Sequence, residues 1–124
     1  MKIKSHFDHC NINIFDLERS LKFYEEALGF TEVKRKDKGS FILSFLSDGT
    51  GSFLLELTLL KDRTSPYDLG DNETHMCVCV EGDYDEIREY HRQMGCICYE
   101  NEKMNLYFIS DPDGYWIEVL PVGR

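Results

Sequence analysis

Two glutamates, Glu56 and Glu118, each lie within a run of apolar residues that has the composition of a β-strand. An ionised carboxylate in such surroundings is costly unless it is paired with another group or bound to a metal ion. Two histidines are candidate partners: His9 lies 47 residues before the first glutamate, and His75 lies 43 residues before the second. The same two residue types therefore recur at matching places in the two halves of the chain.

Two imidazole nitrogens and two carboxylate oxygens form a donor set that suits a borderline divalent ion such as Ni²⁺, Co²⁺ or Zn²⁺. Two waters would complete an octahedron around such an ion, and substrate oxygens could replace the waters and be polarised. A carboxylate beside that substrate can act as a general base on a carbon acid. These residues therefore predict proton transfer at a carbon next to a carbonyl group, as in isomerisation or epimerisation.

Each of the four residues also has an ordinary structural explanation. A single histidine on a strand is usually hydrogen-bonded or at the surface, and a glutamate in an apolar strand can face solvent. The recurrence in both halves is what favours a metal site over four unrelated side chains. His91 lies in a charged helical segment, and we expect it to be solvated.

The predicted elements follow the order βαβββ, a linker, and βαβββ again. In the first half an apolar stripe of helical period begins after Asp16 and ends at Gly29, and in the second half a similar stripe lies between Asp83 and Gly95. The strands predicted around these two helices cover residues 7–14, 30–35, 41–46, 53–60, 74–80, 96–99, 106–109 and 115–120.

This order predicts an α+β fold in which two βαβββ modules form curved mixed sheets. We expect a single domain over residues 1–124, made of a first module at 5–60, a linker at 61–72 and a second module at 73–122. Alternation along the first strand places His9 on its polar face.

The formal net charge of −9 argues against nucleic acids and anionic membrane surfaces as partners, because both are bound through basic patches. No apolar run approaches the ~18 residues that a membrane span requires. Residues 1–5 are not followed by the apolar segment of a signal peptide. The five cysteines lack the layout of a disulfide scaffold, and we expect them to be small buried hydrophobes in a reduced cytoplasm.

Short motifs surround the four candidate residues and together span almost the whole chain. They are His9, Asp-Leu-Glu-Arg-Ser-Leu-Lys-Phe-Tyr at 16–24, Leu-Gly-Phe at 28–30, Glu-Leu-Thr at 56–58, His75, and Asp-Pro-Asp-Gly-Tyr at 111–115 followed by Glu118. With these motifs the sequence resembles the vicinal-oxygen-chelate superfamily and, within it, the glyoxalase I (lactoylglutathione lyase) family. The helix opening and the Asp-Pro-Asp-Gly turn indicate the fold, whereas the His/Glu/His/Glu set is the more specific glyoxalase I pattern.

The resemblance implies that His9, Glu56, His75 and Glu118 bind a divalent metal ion, with nickel or cobalt favoured and zinc possible. It implies that Glu118, with Glu56 as its counterpart, moves a proton between C1 and C2 of the hemithioacetal of methylglyoxal and a thiol such as glutathione. The product would be the S-D-lactoyl-thiol, formed through a metal-bound enediolate. It also implies a homodimer in which each half of the ligand set comes from a different subunit.

The sequence departs from the family at the positions that contact the thiol. Members that use glutathione commonly carry an arginine four residues after the first ligand and an asparagine four residues after the second, where this chain has Asn13 and Leu60. The cations that would grip the carboxylates of glutathione are therefore not visible, although Lys61, Arg63 or Lys103 could replace them.

Four other functions stay open. A methylmalonyl-CoA epimerase-like enzyme uses the same fold and proton chemistry, but usually has glutamine at the position of Glu56. Thiol transferases of the fosfomycin-resistance type and extradiol dioxygenases use two histidines and one carboxylate, and the fourth ligand argues against both. A metal-free protein of the bleomycin-resistance type would instead bind an aromatic or peptide-like ligand in a cup lined by Tyr107, Tyr115 and Trp116.

Overall fold

The structure, a computed structural model, describes residues 1–123 and contains two compact units, Met1–Tyr67 and a second one from Asp68 onward. The first unit contains β1 His9–Ile14, α1 Leu17–Leu28, β2 Thr31–Asp37, β3 Phe41–Ser47 and β4 Leu54–Leu60. The second unit contains β5 His75–Val80, α2 Tyr84–Met94, β6 Ile97–Asn101, β7 Leu106–Ser110 and β8 Trp116–Pro121. The predicted order βαβββ is confirmed in both units. Within the described residues, no helix is both long enough and apolar enough to cross a membrane.

Each unit contains a four-stranded mixed sheet, and the strand order is the same in both. The first sheet has the order β1-β4-β3-β2, and the second has the order β5-β8-β7-β6. In each sheet the first and last strands of the unit pair in parallel, and the other pairs are antiparallel. A parallel pair needs a long crossover connection, which the helix and the two intervening strands supply. The predicted α+β class with two mixed sheets is confirmed.

Both helices begin and end where the sequence predicts. The side chains of Asp16 and Asp83 each accept a hydrogen bond from the backbone amide three residues on, at 3.1 and 3.0 Å. Gly29 and Gly95 follow the last helical residues with φ values of 72° and 74°. This left-handed conformation ends a helix at little cost in a residue that has no Cβ.

Alternation along the central strands β4 and β8 separates the core from the candidate site. The residues that point into the core are between 0 and 4% exposed: Leu55, Leu57, Ile117 and Val119. Because successive strand residues point to opposite sides, the glutamate between each of these pairs lies on the other side of the sheet. This side is termed the open face, and its central residues are His9, Phe45 and Glu56 in the first sheet and His75, Phe108 and Glu118 in the second.

The turn before β8 is held by the side chain of Asp111. Its Oδ1 accepts hydrogen bonds from two backbone amides of the turn, both at 2.9 Å, and the residue is only 4% exposed. Gly114 has a φ of 96°, and its carbonyl accepts a hydrogen bond from the side-chain amide of Asn72 at 2.9 Å. These bonds fix the start of β8 and therefore the position of Glu118.

The prediction that His91 is solvated was wrong, because this residue is fully buried. Its Nδ1 lies 2.8 Å from the hydroxyl of Tyr107, which is also fully buried. Tyr107 therefore belongs to the core and not to a ligand cup. His91 is four residues after Ile87 and seven after Tyr84, so it lies on the inner stripe of α2 even though its sequence neighbours are charged.

The prediction that the cysteines are buried was also wrong. Three are exposed and two are half-buried: Cys77, Cys79 and Cys98 in the first group, and Cys10 and Cys96 in the second. All five are free thiols. Exposed and half-buried residues alternate along β5, which places its two cysteines on the same face as His75.

Candidate metal centre

The open face of the first sheet brings His9 and Glu56 together. His9 begins β1, and Glu56 lies in the adjacent strand β4, two residues beyond the residue directly across from His9. The imidazole Nε2 lies 3.7 Å from the carboxylate Oε1. Phe45 of β3 pairs with Glu56 in the sheet and packs edge-on against the imidazole, with ring centroids 6.0 Å apart. Two adjacent strands and one aromatic ring therefore position the first His–Glu pair.

The open face of the second sheet repeats this arrangement with His75 and Glu118. The two residues lie on β5 and β8 with the same offset of two residues, and Nε2 lies 3.4 Å from Oε1. Phe108 pairs with Glu118 and packs edge-on against the imidazole at 5.0 Å. The recurrence seen in the sequence thus extends to strand register, distance and aromatic neighbour.

The four predicted ligands are placed as two pairs, one in each unit. Over residues 1–123, no group of three or more His, Cys, Asp or Glu side chains is arranged to hold a metal ion. Each pair supplies two of the four predicted ligands.

The donor atoms of each pair lie at or near the spacing of two ligands on one divalent ion. Two ligand atoms that are each about 2.1 Å from one ion lie roughly 3.0–3.4 Å apart. The observed nitrogen–oxygen separation is 3.4 Å in the second pair, within this range, and 3.7 Å in the first pair, slightly wider than it. The two glutamate side chains are only 14% and 18% exposed. Because burial makes an uncompensated negative charge unfavourable, both carboxylates suit a bound cation.

Asp8 orients the imidazole of His9. Its Oδ2 lies 2.6 Å from Nδ1, and since an ionised carboxylate can only accept, Nδ1 carries the proton and Nε2 is left to act as a ligand. The hydrogen bond raises the pKa of His9 above its ordinary value near 6.5 and lowers the pKa of Asp8. A proton on Nε2 competes with a metal ion, so metal affinity falls as the pH drops through this raised pKa. This partner was missed, because a strand over residues 7–14 would turn Asp8 to the face opposite His9, whereas β1 begins only at His9.

Asn11 contacts the carboxylate of Glu56 and was also missed as a site residue. Its Nδ2 donates hydrogen bonds to Oε1 of Glu56 at 2.8 Å and to Oγ1 of Thr58 at 2.6 Å. The residue at the corresponding place in the second unit is Cys77, which lies directly across from Glu118. The sequence feature that could have indicated Asn11 is its position on the polar face of the first strand. Its partner, however, follows only from the register between β1 and β4.

A hollow of about 380 Å³ lies beside His75 in the second unit. Its apolar wall is formed by Phe108 and Trp116, whose ring centroids are 5.4 Å apart, and Tyr99 stacks on Trp116 at 6.1 Å. The complete lining is Asp71, Asn72, Glu73, Thr74, His75, Phe108 and Trp116. The hollow has room for a small organic molecule beside His75, which is a predicted metal ligand. Its lining includes Trp116, one of the three aromatic residues that were proposed from the sequence to line a cup.

The cations near the first pair are not the ones considered from the sequence. Lys61 forms an ion pair with a nearby aspartate at 2.8 Å, and Arg63 donates hydrogen bonds to two carbonyl oxygens at 2.8 and 3.1 Å. By contrast, the ammonium groups of Lys34 and Lys36 lie 5.6 and 6.0 Å from the ring centroid of Phe45. Because Phe45 also contacts the imidazole of the first pair, these two lysines place positive charge on the open face.

Known proteins are similar to this chain over most of its length. The chain matches the profile of the Glyoxalase/Bleomycin resistance protein/Dioxygenase superfamily over residues 6–119. It is 38% identical over 121 residues to the lactoylglutathione lyase of Neisseria meningitidis serogroup A, which covers 90% of this chain and 87% of that protein. It is 32% identical over 120 residues to a probable lactoylglutathione lyase of Synechocystis, with 90% and 92% of the two chains covered.

Among solved structures, the trypanothione-dependent glyoxalase I of Leishmania major superposes with a TM-score of 0.84 at 34% identity. The superposition covers 95% of this chain and 87% of that one. Motifs, sheet topology and relatives all lead to one assignment. The chain belongs to the Glyoxalase/Bleomycin resistance protein/Dioxygenase superfamily and, within it, to the glyoxalase I family.

Proposed function

We propose that this chain is a metal-dependent glyoxalase I that converts the hemithioacetal of methylglyoxal and a thiol into the S-D-lactoyl-thiol. The observation that carries the proposal is the repeated His–Glu pair, with nitrogen–oxygen distances of 3.7 and 3.4 Å and the same strand offset in both units. The names of the relatives in Neisseria meningitidis and Synechocystis support the substrate class.

In this proposal His9, Glu56, His75 and Glu118 hold a divalent ion, and nickel or cobalt is favoured over zinc. When bound, the ion supplies Lewis-acid polarisation of the substrate oxygens, which makes the C1 hydrogen more acidic. The carboxylate of Glu118 takes this proton from C1 and returns it to C2. The aromatic wall beside His75 limits the access of water, so that the transferred proton is not lost to solvent.

We propose further that the chain acts as a homodimer. Each unit carries one His–Glu pair, and the first pair of one subunit with the second pair of its partner gives the four-ligand site. A two-fold symmetric dimer then contains two equivalent sites. Five free thiols fit a reducing compartment, and we place the enzyme in the cytoplasm.

Removal and replacement of the metal tests this function. Chelator-stripped protein is refilled in turn with Ni²⁺, Co²⁺ and Zn²⁺ and assayed with the methylglyoxal–glutathione hemithioacetal. We expect the stripped protein to retain less than about 1% of the activity of the refilled enzyme, with nickel or cobalt more active than zinc. If the protein binds metal but shows no turnover, we would infer that its substrate is an adduct of another thiol or a CoA ester. No metal uptake would contradict the enzyme and leave a binding protein.

We infer that Lys34 and Lys36 bind the carboxylates of the glutathione portion of the substrate. Asn13 and Leu60 carry no positive charge and cannot make this contact. Replacing both lysines with alanine is expected to raise KM for the glutathione hemithioacetal about 10-fold and to leave kcat within about twofold. The reason is that contacts with the thiol portion stabilise the bound substrate and the transition state equally, so their loss weakens binding without raising the barrier from the bound state.

The variant Lys38→Ala serves as the matched control, because this lysine lies in the turn between β2 and β3, outside the pair that approaches Phe45. The trypanothione adduct is assayed in parallel, since a relative of known structure depends on trypanothione. An unchanged KM for glutathione in the double variant would contradict the assignment of Lys34 and Lys36.

A further inference from the structure

We propose that Asn11 is a positioning residue that fixes Glu56 as a ligand, so that Glu118 is left as the carboxylate free to move a proton. The inference rests on the proposed function, because it assigns unequal roles to the two carboxylates of that site. It goes beyond that function by naming a residue outside the ligand set and by explaining why one glutamate is the base.

The side-chain amide of Asn11 bridges two residues of β4. Nδ2 donates to Oε1 of Glu56 at 2.8 Å and to Oγ1 of Thr58 at 2.6 Å. An ionised carboxylate can only accept hydrogen bonds, so the NH₂ group of the amide must face Glu56. Both hydrogens of that group are then used, and the amide is held from two directions. Because Asn11 and Glu56 are directly across from each other in the parallel register, a short side chain is long enough for this contact.

The oxygen that Asn11 contacts is the oxygen that faces His9. The same Oε1 lies 3.7 Å from Nε2 of the imidazole. A donor on this atom opposes rotation of the carboxylate about its last bond and keeps the oxygen directed at the imidazole. Hydrogen-bond partners of this kind orient ligands and raise metal affinity without touching the metal. The Glu56 side chain is only 14% exposed, so this bond holds a carboxylate that is largely covered by its neighbours.

The second unit does not repeat this bridge. Cys77 stands where Asn11 would be, and Leu120 stands where Thr58 would be. A thiol is a weak donor, and this one lies 3.9 Å from the backbone carbonyl of Val78. Oε1 of Glu118 lies 3.4 Å from Nε2 of His75. Because neither Cys77 nor Leu120 places a side-chain amide on its oxygens, Glu118 can reorient between the imidazole and a substrate carbon, as a proton carrier must.

The test measures nickel affinity and turnover separately. The dissociation constant for Ni²⁺ is determined by calorimetry on metal-free protein, and kcat and KM are determined at saturating nickel. For Asn11→Ala we expect nickel affinity to fall about 10- to 100-fold, with kcat reduced less than about 10-fold because the base is intact. Thr58→Val removes only the second anchor of the amide and is expected to shift affinity in the same direction by a smaller factor.

The reciprocal variant is Cys77→Asn, which places an amide beside Glu118. It is expected to lower kcat at least about 10-fold while nickel affinity stays equal or improves, because a restrained carboxylate binds well and moves poorly. Cys77→Ala is the matched control, and we expect it to keep both quantities within about twofold of the wild type, since no amide is gained or lost.

Unchanged nickel affinity in Asn11→Ala, in a protein with wild-type circular dichroism and Tm, overturns the inference. An unchanged kcat in Cys77→Asn overturns the part that concerns Glu118. Thr58→Val keeps the test decisive if Asn11→Ala does not fold. Wild-type protein that binds none of Ni²⁺, Co²⁺ and Zn²⁺ overturns the proposed function and this inference with it, whereas normal wild-type binding with an unaffected Asn11→Ala overturns this inference alone.

Discussion

Glu118→Gln is expected to lower kcat about 10²- to 10⁴-fold while the protein still binds nickel. Glutamine keeps the size and one oxygen of the side chain, so the strand, the contact with His75 and one ligand atom are preserved. It cannot accept a proton near neutral pH, so transfer between C1 and C2 loses its carrier. The loss therefore appears in kcat more than in KM or in metal affinity.

The matched control for this prediction is Glu56→Gln, because it makes the same chemical change in the other pair. Asn11 can still donate to the remaining oxygen at this position, so the side chain stays oriented. We expect weaker nickel binding and a smaller decrease in kcat than in Glu118→Gln. Parallel measurement of kcat and nickel affinity for the two variants decides the assignment. A larger loss of kcat in Glu56→Gln would place the base in the first unit, and equal losses would contradict unequal roles for the two carboxylates.

The parts of the fold that were predicted correctly depend on neighbours in the sequence. Asp16 and Gly29 delimit α1 through bonds within one helical turn, and the same is true of the second helix. The strands that carry Glu56 and Glu118 were predicted at 53–60 and 115–120 and lie at Leu54–Leu60 and Trp116–Pro121, because the apolar run that marks a strand is local. The repeated order of elements then predicted two similar sheets, since each helix and its strands form one compact unit.

The parts that were missed depend on contacts between strands and on helix faces. The hydrogen bond between Asn11 and Glu56 exists because these residues are in register, and no local pattern fixes the register of two strands 45 residues apart. His91 was expected to be solvated because its neighbours are charged, yet the hydroxyl of Tyr107, from a different strand, satisfies its buried nitrogen. Polar residues are thus harder to place than apolar ones, because their partners decide their burial.

Combining one His9→Ala subunit with one His75→Ala subunit is expected to restore activity that neither homodimer has. Each homodimer has the same damaged pair in both of its sites. In the mixed dimer one site receives both damaged pairs and the other receives both intact pairs, if each site takes its two pairs from different subunits. A purified mixed dimer should therefore have about half the wild-type activity, because one of its two symmetric sites is complete.

The mixed dimer is obtained by refolding two differently tagged chains together and purifying on both tags, and turnover is measured at saturating nickel. The matched control combines His9→Ala with Glu56→Ala, which damages the first pair in both subunits. Every site in that dimer contains a damaged first pair, so no activity should return. Restoration in the control as well would contradict the shared-site arrangement, because every site of that dimer lacks an intact first pair. An inactive His9→Ala/His75→Ala dimer that still exchanges subunits would mean that all four ligands come from one chain, since only then does each site keep one damaged pair.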